Sequence, residues 1–206
     1  ESAPKGRLIL PQQQVIRDIL DAHCIALTCQ PEELKDILKV IKPKMAVTDS
    51  QAFKRVDQDT PSDIYLTSFS ILFARYKGDL KTLVRGANKL SSLKPGDKVL
   101  ISEGCTHHRQ CGDIGTVKIP ALIKKFTQAE PNFNFTSGGE FPDLDELKNY
   151  DLIIHCGGCM LNDREMTNRI NKACEAGVEI VNYGVAIACM NGILKRSIEI
   201  FNIDLE

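Results

Sequence analysis

Residues 151–160 read Asp-Leu-Ile-Ile-His-Cys-Gly-Gly-Cys-Met and place an apolar run directly before a Cys-x-x-Cys motif. The run Leu152–His155 is short and strongly apolar, which is typical of a strand buried on both faces. Segments with helical spacing of apolar residues lie on either side of it. Because alternating strands and helices favour a parallel sheet covered by helices, the stretch predicts an α/β fold.

The same alternation extends over the whole chain, and the turn-rich stretch 94–97 divides it into two units. We therefore expect an α/β protein of two consecutive small units, residues 1–94 and 95–206, each a mainly parallel four-stranded sheet flanked by helices. The predicted strands of the first unit are Leu8–Leu10, Ile25–Cys29, Met45–Thr48 and Ile64–Phe69. Those of the second unit are Lys98–Ser102, Phe133–Thr136, Leu152–His155 and Val178–Tyr183.

Helical spacing and start signals place the helices between these strands. Residues 49–61 are expected to form a polar connection. The predicted helices begin at Pro11 and Pro31 and cover Ile71–Leu93 (as one helix or as two split near Gly78), Pro120–Phe126, Leu144–Lys148, Asp163–Ala176 and most of Ala186–Phe201.

Composition excludes several classes of protein. The 206 residues include 26 basic and 27 acidic ones, so the net charge is -1, and Trp is absent. This balance provides no excess of positive charge for binding nucleic acid or an anionic membrane. No stretch approaches the roughly 20 apolar residues of a membrane span. The eight cysteines follow no secretory signal, so we expect a reducing, cytoplasmic compartment. Because residue 1 is Glu, we also expect a fragment or processed chain.

Phosphate-binding motifs are missing from the sequence. Neither G-x-x-x-x-G-K-[ST] nor a G-x-G-x-x-G after a strand occurs. We therefore expect no nucleotide site and no nucleotide hydrolysis in this chain.

Three cysteines follow strands of the second unit. Cys105 comes after the strand Lys98–Ser102, and Cys156 and Cys159 come after Leu152–His155. The carboxyl ends of parallel strands share one edge of a sheet, so the three thiolates can converge there. Such a set suits an Fe–S cluster or zinc. Candidates for a fourth, replaceable position are water, His107, His155, Glu103 and Asp113.

Other interpretations of these cysteines remain open. Three Cys and one His could hold structural zinc, or the chain could be a zinc-binding α/β hydrolase or regulatory module. A thiol–disulfide oxidoreductase using Cys156 and Cys159 leaves Cys105 without a role, and the thiols could also carry no metal. Cys111 lies near enough to compete as a ligand. We expect the remaining cysteines to be small packing residues: Cys24, Cys29, Cys174 and Cys189.

The two loops together resemble the signature of HydF, the GTPase scaffold family that matures FeFe-hydrogenase. The matching features are Cys105-Thr106-His107, the 47 residues between His107 and His155, and His155-Cys156-x-x-Cys159. The resemblance covers essentially the whole chain and implies a dimerisation domain followed by a cluster-binding domain. Since the GTPase domain of that family has no counterpart here, the resemblance implies a scaffold and not an enzyme.

The resemblance also implies ligands and partners. Cys105, Cys156 and Cys159 would bind a 4Fe-4S cluster whose fourth position is exchangeable, with His107 and His155 as members of the motif. The protein would receive a transient di-iron precursor from two radical-SAM maturases and deliver it to the apo-hydrogenase.

The first unit carries no chemical motif, but its apolar runs exceed what a small sheet covers alone. These runs are Ile25–Leu27, Met45–Val47 and Ile64–Leu66. An exposed strand edge is a template for pairing with another chain. We therefore expect a homodimer formed through this unit, with the sheet continued across a two-fold axis.

Overall fold

A computed structural model describes residues 8–104 and 113–203 of the chain. In this part of the chain, two parallel sheets contain all the strands. The strands are β1 Met45–Thr48, β2 Tyr65–Ser68, β3 Lys98–Glu103, β4 Asn132–Ser137, β5 Leu152–His155 and β6 Glu179–Asn182.

Helices connect and cover these strands. They are α1 Leu10–Asp21, α2 Leu34–Ile37, α3 Phe53–Asp59, α4 Phe69–Lys77, α5 Leu80–Gly86, α6 Ile119–Thr127, α7 Leu144–Leu147, α8 Asp163–Glu175, α9 Tyr183–Met190 and α10 Leu194–Ile198. Short 3-10 turns lie at Ser50–Ala52, Ala87–Ser92 and Glu199–Phe201, and a π-helical turn lies at Ile114–Lys118. The predicted α/β class with parallel sheets is confirmed.

The first sheet has two strands, so the prediction of a four-stranded sheet in this unit is wrong. Strands β1 and β2 pair in parallel, with Met45 opposite Tyr65. The predicted strand at Leu8–Leu10 instead leads into α1, because the Gln12 side chain accepts the Ile9 N–H and caps the helix there. Residues 25–29 form no strand, and Ile25 is 95% exposed.

Residues 49–61, expected to be a polar connection, contain α3. Phe53 and Val56 lie three residues apart, on one face of this helix, and both are buried. The two apolar residues were too few for a convincing periodic pattern in the sequence.

The second sheet has the four parallel strands that the sequence predicts, in the order β4-β3-β5-β6. The chain leaves β3 toward β4 on one side and then returns to place β5 on the other side of β3. The order therefore reverses between β3 and β5, and open α/β sheets form their ligand crevices at such a reversal. Of the two central strands, β5 is buried along its whole length and β3 is buried from Val99 to Ser102, as parallel strands covered on both faces require.

The two halves of the chain share one hydrophobic core. A continuous cluster of buried residues runs from Phe53 and Leu66 in the first half to Val99 and Ile154 in the second. Helix α10 packs against β2. Its Arg196 guanidinium donates to the Asp57 carboxylate at 2.6 Å and also donates to backbone carbonyls of residues 60 and 61. The C-terminal helices thus close over the two-stranded sheet.

Among the residues that the structure describes, no helix is both long enough and apolar enough to cross a membrane.

Candidate metal centre

A cavity of about 320 Å³ opens at the reversal point between β3 and β5. Its volume lies at the lower end of the range of small-molecule sites, about 300–1,000 Å³. Both halves of the chain contribute to its wall, including Asp49, Ser70, Glu103, Cys156, Cys159 and Tyr183. The cavity therefore lies where the sequence predicts three thiolates to meet.

Cys156 is placed by the pairing of β5 with β3. His155 lies opposite Ser102 in the register, and the Cys156 N–H donates to the Ser102 carbonyl at 2.9 Å. The Cys156 sulfur accepts N–H groups from Gly104 at 3.0 Å and Gly158 at 3.4 Å. Backbone N–H groups directed at sulfur favour its thiolate form, which is the form that binds metal.

Cys159 lies in the segment 156–162, the cysteine loop, which connects β5 to α8. Gly158 has φ of +61°, a conformation that a residue with a Cβ rarely adopts. The Leu161 N–H donates back to the Gly158 carbonyl at 3.0 Å, and Asn162 caps α8 by accepting the Glu165 N–H at 2.8 Å. These bonds give the loop a tight turn, with both cysteines half-buried at the cavity wall.

His155 is buried and both of its ring nitrogens have partners. Nδ1 lies 2.7 Å from the Cys156 carbonyl, and Nε2 lies 3.1 Å from an Arg169 guanidinium nitrogen. Because a carbonyl only accepts and a guanidinium only donates, the ring is neutral, with its proton on Nδ1. Burial lowers the pKa of His155 to about 4, and the Arg169 charge also lowers it, while the bond to Cys156 opposes the shift.

Arg169 is fully buried and holds His155 from the side opposite Cys156. Its other donors reach the Glu165 carboxylate at 2.7 Å and the Gly138 carbonyl at 2.8 Å. Its guanidinium carbon lies 5.0 Å from the centre of the Phe141 ring. Each of the three guanidinium nitrogens of Arg169 therefore has a hydrogen-bond partner, as a buried charge requires.

Glu103 and Asp113 also belong to the wall of the cavity. Glu103 ends β3, and its Oε1 accepts the Tyr183 hydroxyl at 3.3 Å. Burial, and next the Glu103 charge, raise the pKa of Tyr183 well above its ordinary value, so this hydroxyl stays a donor. Asp113 caps the π-helical turn by accepting the N–H groups of Gly115 and Thr116. Both carboxylates line the cavity that Cys156 and Cys159 line.

The structure describes only some of the residues singled out from the sequence. Cys105, His107 and Cys111 lie outside the described residues. Within 8–104 and 113–203, no group of three or more His, Cys, Asp or Glu side chains is arranged to hold a metal ion. Of the residues singled out from the sequence, Cys156, Cys159, Glu103 and Asp113 line one cavity, while His155 contacts Arg169 and the Cys156 carbonyl.

The expectation that four other cysteines are packing residues is wrong for three of them. Cys24, Cys29 and Cys174 are exposed. The first two are exposed because the expected strand between them does not form, and Cys174 lies on the solvent side of α8. Cys189 is half-buried against the core, as expected.

Two cations at the site were not singled out from the sequence. Arg169 shares a helical face with Met166, Ile170 and Ala173, all of them buried. Lys77 shares a face with Phe73 and Ala74 in α4. A charged residue at the helical spacing of an apolar stripe is the signal that could have identified both.

The described donors fit a group held by thiolates. The cavity is lined by two half-buried cysteines, one of which accepts two N–H groups, and by carboxylates. Soft sulfur donors of this kind select zinc or Fe–S clusters over magnesium or calcium.

Family models match almost the whole chain. Residues 1–78 match the hydrogen maturase F dimerization domain, and residues 81–200 match the hydrogen maturase F tetramerization domain. No curated protein matches the chain in a direct comparison.

Proposed function

This chain belongs to the hydrogen maturase F family, and we propose that it is the cluster-carrying, self-associating part of an FeFe-hydrogenase maturation scaffold. The matched domains imply a role in hydrogenase maturation and fit a non-catalytic region of that family. In the proposal, Cys105, Cys156 and Cys159 bind a 4Fe-4S cluster. The chain then receives a di-iron precursor from two radical-SAM maturases and delivers it to the apo-hydrogenase, in the cytoplasm.

The observation that carries the proposal is the position of Cys156 and Cys159. Both line a cavity at the carboxyl ends of β3 and β5, and the chain enters residue 105 directly from β3 and the following Gly104. Three thiolates near one point at a sheet reversal are what a cluster with one non-cysteine position requires.

The residues of the cavity have separate tasks in this proposal. The thiolates hold three irons, and the Gly104 and Gly158 N–H groups stabilise the Cys156 sulfur. When bound, the cluster supplies an iron position with an exchangeable ligand. Glu103, Asp113 and His107 are candidates for that position. His155 orients Cys156 through its carbonyl, since both of its ring nitrogens are already engaged.

Self-association is a property of both matched domains. We assign homodimerisation to the first unit, residues 1–94, and cluster binding to the second, 95–206. Exposed apolar residues support this assignment, because they concentrate in residues 25–41: Ile25 is 95% exposed, Leu27 55%, Val40 86% and Ile41 46%. Such a concentration marks a contact surface. A concentration-independent monomer in light scattering would contradict the dimer.

Anaerobic reconstitution with iron and sulfide tests the cluster. We expect the wild-type chain to become brown, with about four irons and four sulfides per chain. Cys105→Ala, Cys156→Ala and Cys159→Ala should each abolish or strongly reduce this uptake. Cys174→Ala is the matched control, because this cysteine is exposed and should leave uptake unchanged. Colourless protein with stoichiometric zinc would instead favour a zinc-binding module.

The exchangeable position has its own test. Imidazole or cyanide added to the reduced, reconstituted protein should shift the EPR spectrum, because an open iron accepts an incoming donor. An unchanged spectrum would mean that a fourth protein ligand is fixed.

A further inference from the structure

Lys77 ends α4, and within residues 8–104 and 113–203 it is the only buried lysine, with 8% of its surface exposed. Its ammonium group donates to three backbone carbonyls: Gly158 at 3.3 Å, Cys159 at 3.1 Å and Leu161 at 2.7 Å. An ammonium has three protons, so its donor capacity is used completely. All three acceptors belong to the cysteine loop, more than 80 residues away in sequence.

We propose that Lys77 is a positioning residue of the cysteine loop and supplies the positive charge that compensates the cluster thiolates. This inference rests on the proposed function. It extends that function by making the half of the chain that matches the dimerization domain a part of the metal centre, since that match ends at residue 78.

The first argument is geometric. One side chain binds three carbonyls of a short turn at once. The Gly158 carbonyl also accepts the Leu161 N–H within the turn, so the ammonium joins the internal bond of the turn to the carbonyls of Cys159 and Leu161. The carbonyl of Cys159 is among them, so Lys77 restricts the backbone of a cluster ligand directly. The same helix is fixed at its other end, where the Ser70 hydroxyl accepts the Gly184 N–H at 3.1 Å and the Ser70 carbonyl accepts from the Asn182 amide at 2.9 Å. Lys77 is therefore held on a rigid element.

The second argument is electrostatic. Charges are rarely buried without a counter-charge. Among the described residues, no ion pair includes Lys77, and its neighbours are carbonyls and the Phe73 ring at 5.4 Å. A group held by three thiolates is anionic in its surroundings. Carbonyl dipoles stabilise the buried ammonium only in part. A thiolate-bound anionic group beside Lys77 would supply the full counter-charge.

Lys77→Met tests both arguments, because methionine keeps most of the length of the side chain and removes the charge and the donors. In the reconstituted protein we expect cluster retention against a chelator to fall about 10- to 100-fold, the usual effect of removing a partner behind a metal ligand. The midpoint potential should become more negative, because a positive charge that favours the reduced cluster is lost. Lys77→Arg keeps the charge and should restore most of the potential.

Two controls separate this proposal from its premise. Lys81→Met makes the same change at an exposed position four residues later and should leave potential and retention unchanged. In the metal-free protein, Lys77→Met should also speed alkylation of Cys159 by iodoacetamide several-fold, which tests the positioning without a cluster. If the wild-type chain takes up no cluster, the proposed function is wrong. The alkylation rate of Cys159 then tests by itself whether Lys77 positions the cysteine loop. An unchanged alkylation rate, or an unchanged potential and retention in reconstituted Lys77→Met, would overturn the role of Lys77.

Discussion

Each of the two central glycines of the Cys-x-x-Cys motif can be substituted separately. We expect one substitution to destabilise the chain and the other to leave its stability nearly unchanged. Gly158 has φ of +61°, and a Cβ built on it would lie 2.5 Å from the Met166 sulfur. Gly157 has neither restriction, because a Cβ there meets Ser70 alone, at 3.5 Å from the hydroxyl oxygen and 4.0 Å from Cα, which are ordinary contacts. Gly158→Ala is therefore the perturbation, and Gly157→Ala is its matched control.

The magnitude follows from two contributions. A left-handed backbone costs an alanine roughly 1–2 kcal/mol. Displacing the buried Met166 side chain from its rotamer costs about 0.5–1.5 kcal/mol more, while its flexible thioether limits this cost. We therefore expect Gly158→Ala to lower the free energy of unfolding by about 1.5–3.5 kcal/mol, whereas Gly157→Ala changes it by less than about 1 kcal/mol.

Urea unfolding of the metal-free chain measures the stability, and iron and sulfide content after reconstitution measures the site. Gly158→Ala should lower both, because the loop must change the turn that brings the Gly158 N–H to the Cys156 sulfur. Gly157→Ala should retain full uptake. If the two variants unfold at the same urea concentration, the left-handed turn at Gly158 does not determine the loop, and the reasoning is wrong.

Other substitutions test the surrounding packing and charge. Gly86→Ala puts a Cβ 2.0 Å from the Ile180 carbonyl oxygen, so α5 must move from β6, and thermal unfolding should show a loss of about 1–3 kcal/mol. Arg169→Met leaves the buried His155 Nε2 and the half-buried Gly138 carbonyl without this donor. The loss at His155 costs roughly 1–3 kcal/mol and the loss at Gly138 adds less, and urea unfolding should show the sum. Glu165→Gln, at a partly exposed partner, should cost far less. Burial raises the pKa of Asp49, so its ionised form destabilises the fold. Asp49→Asn should raise the unfolding midpoint at pH 7, and this gain should disappear below about pH 3.8, where Asp49 is protonated in both the folded and unfolded chain.

The sequence predicted the second sheet well because its strands are short apolar runs between clear helical patterns. β5 has the predicted bounds Leu152–His155. β3 is one residue longer than predicted at its C-terminal end, and β4 is one residue longer at each end. In the first unit, β1 has the predicted bounds Met45–Thr48 and β2 lies within the predicted Ile64–Phe69, but the predicted strands Leu8–Leu10 and Ile25–Cys29 do not form. An apolar run such as Ile25–Cys29 forms a strand only where a neighbouring strand offers its backbone, and pairing partners are not visible in a run of five residues.

The candidate site was predictable as far as it rests on motif and topology. Cys156 and Cys159 lie at the carboxyl end of β5, on one cavity with the carboxylates of Glu103 and Asp113. The contacts of Lys77 and Arg169 were not predictable, because they join these side chains to backbone carbonyls far along the chain. A carbonyl is present at every residue and therefore leaves no signature in sequence.

The two matched domains are not structurally independent, because helix α9 of the second half is covered in part by the first half. This helix is apolar all round and buried over Tyr183–Ala188, and a helix of that kind must be covered on every side. Part of its cover comes from α4 and from the turn Ser50–Ala52, which belong to the first half of the chain. Residues 79–206 alone would expose this face and would lose Lys77 from the cysteine loop. We therefore expect that fragment to aggregate or to bind a hydrophobic dye, and its amides at 158–161 to exchange faster than in the full chain. A soluble fragment with full amide protection would show that the second half builds the cysteine loop by itself.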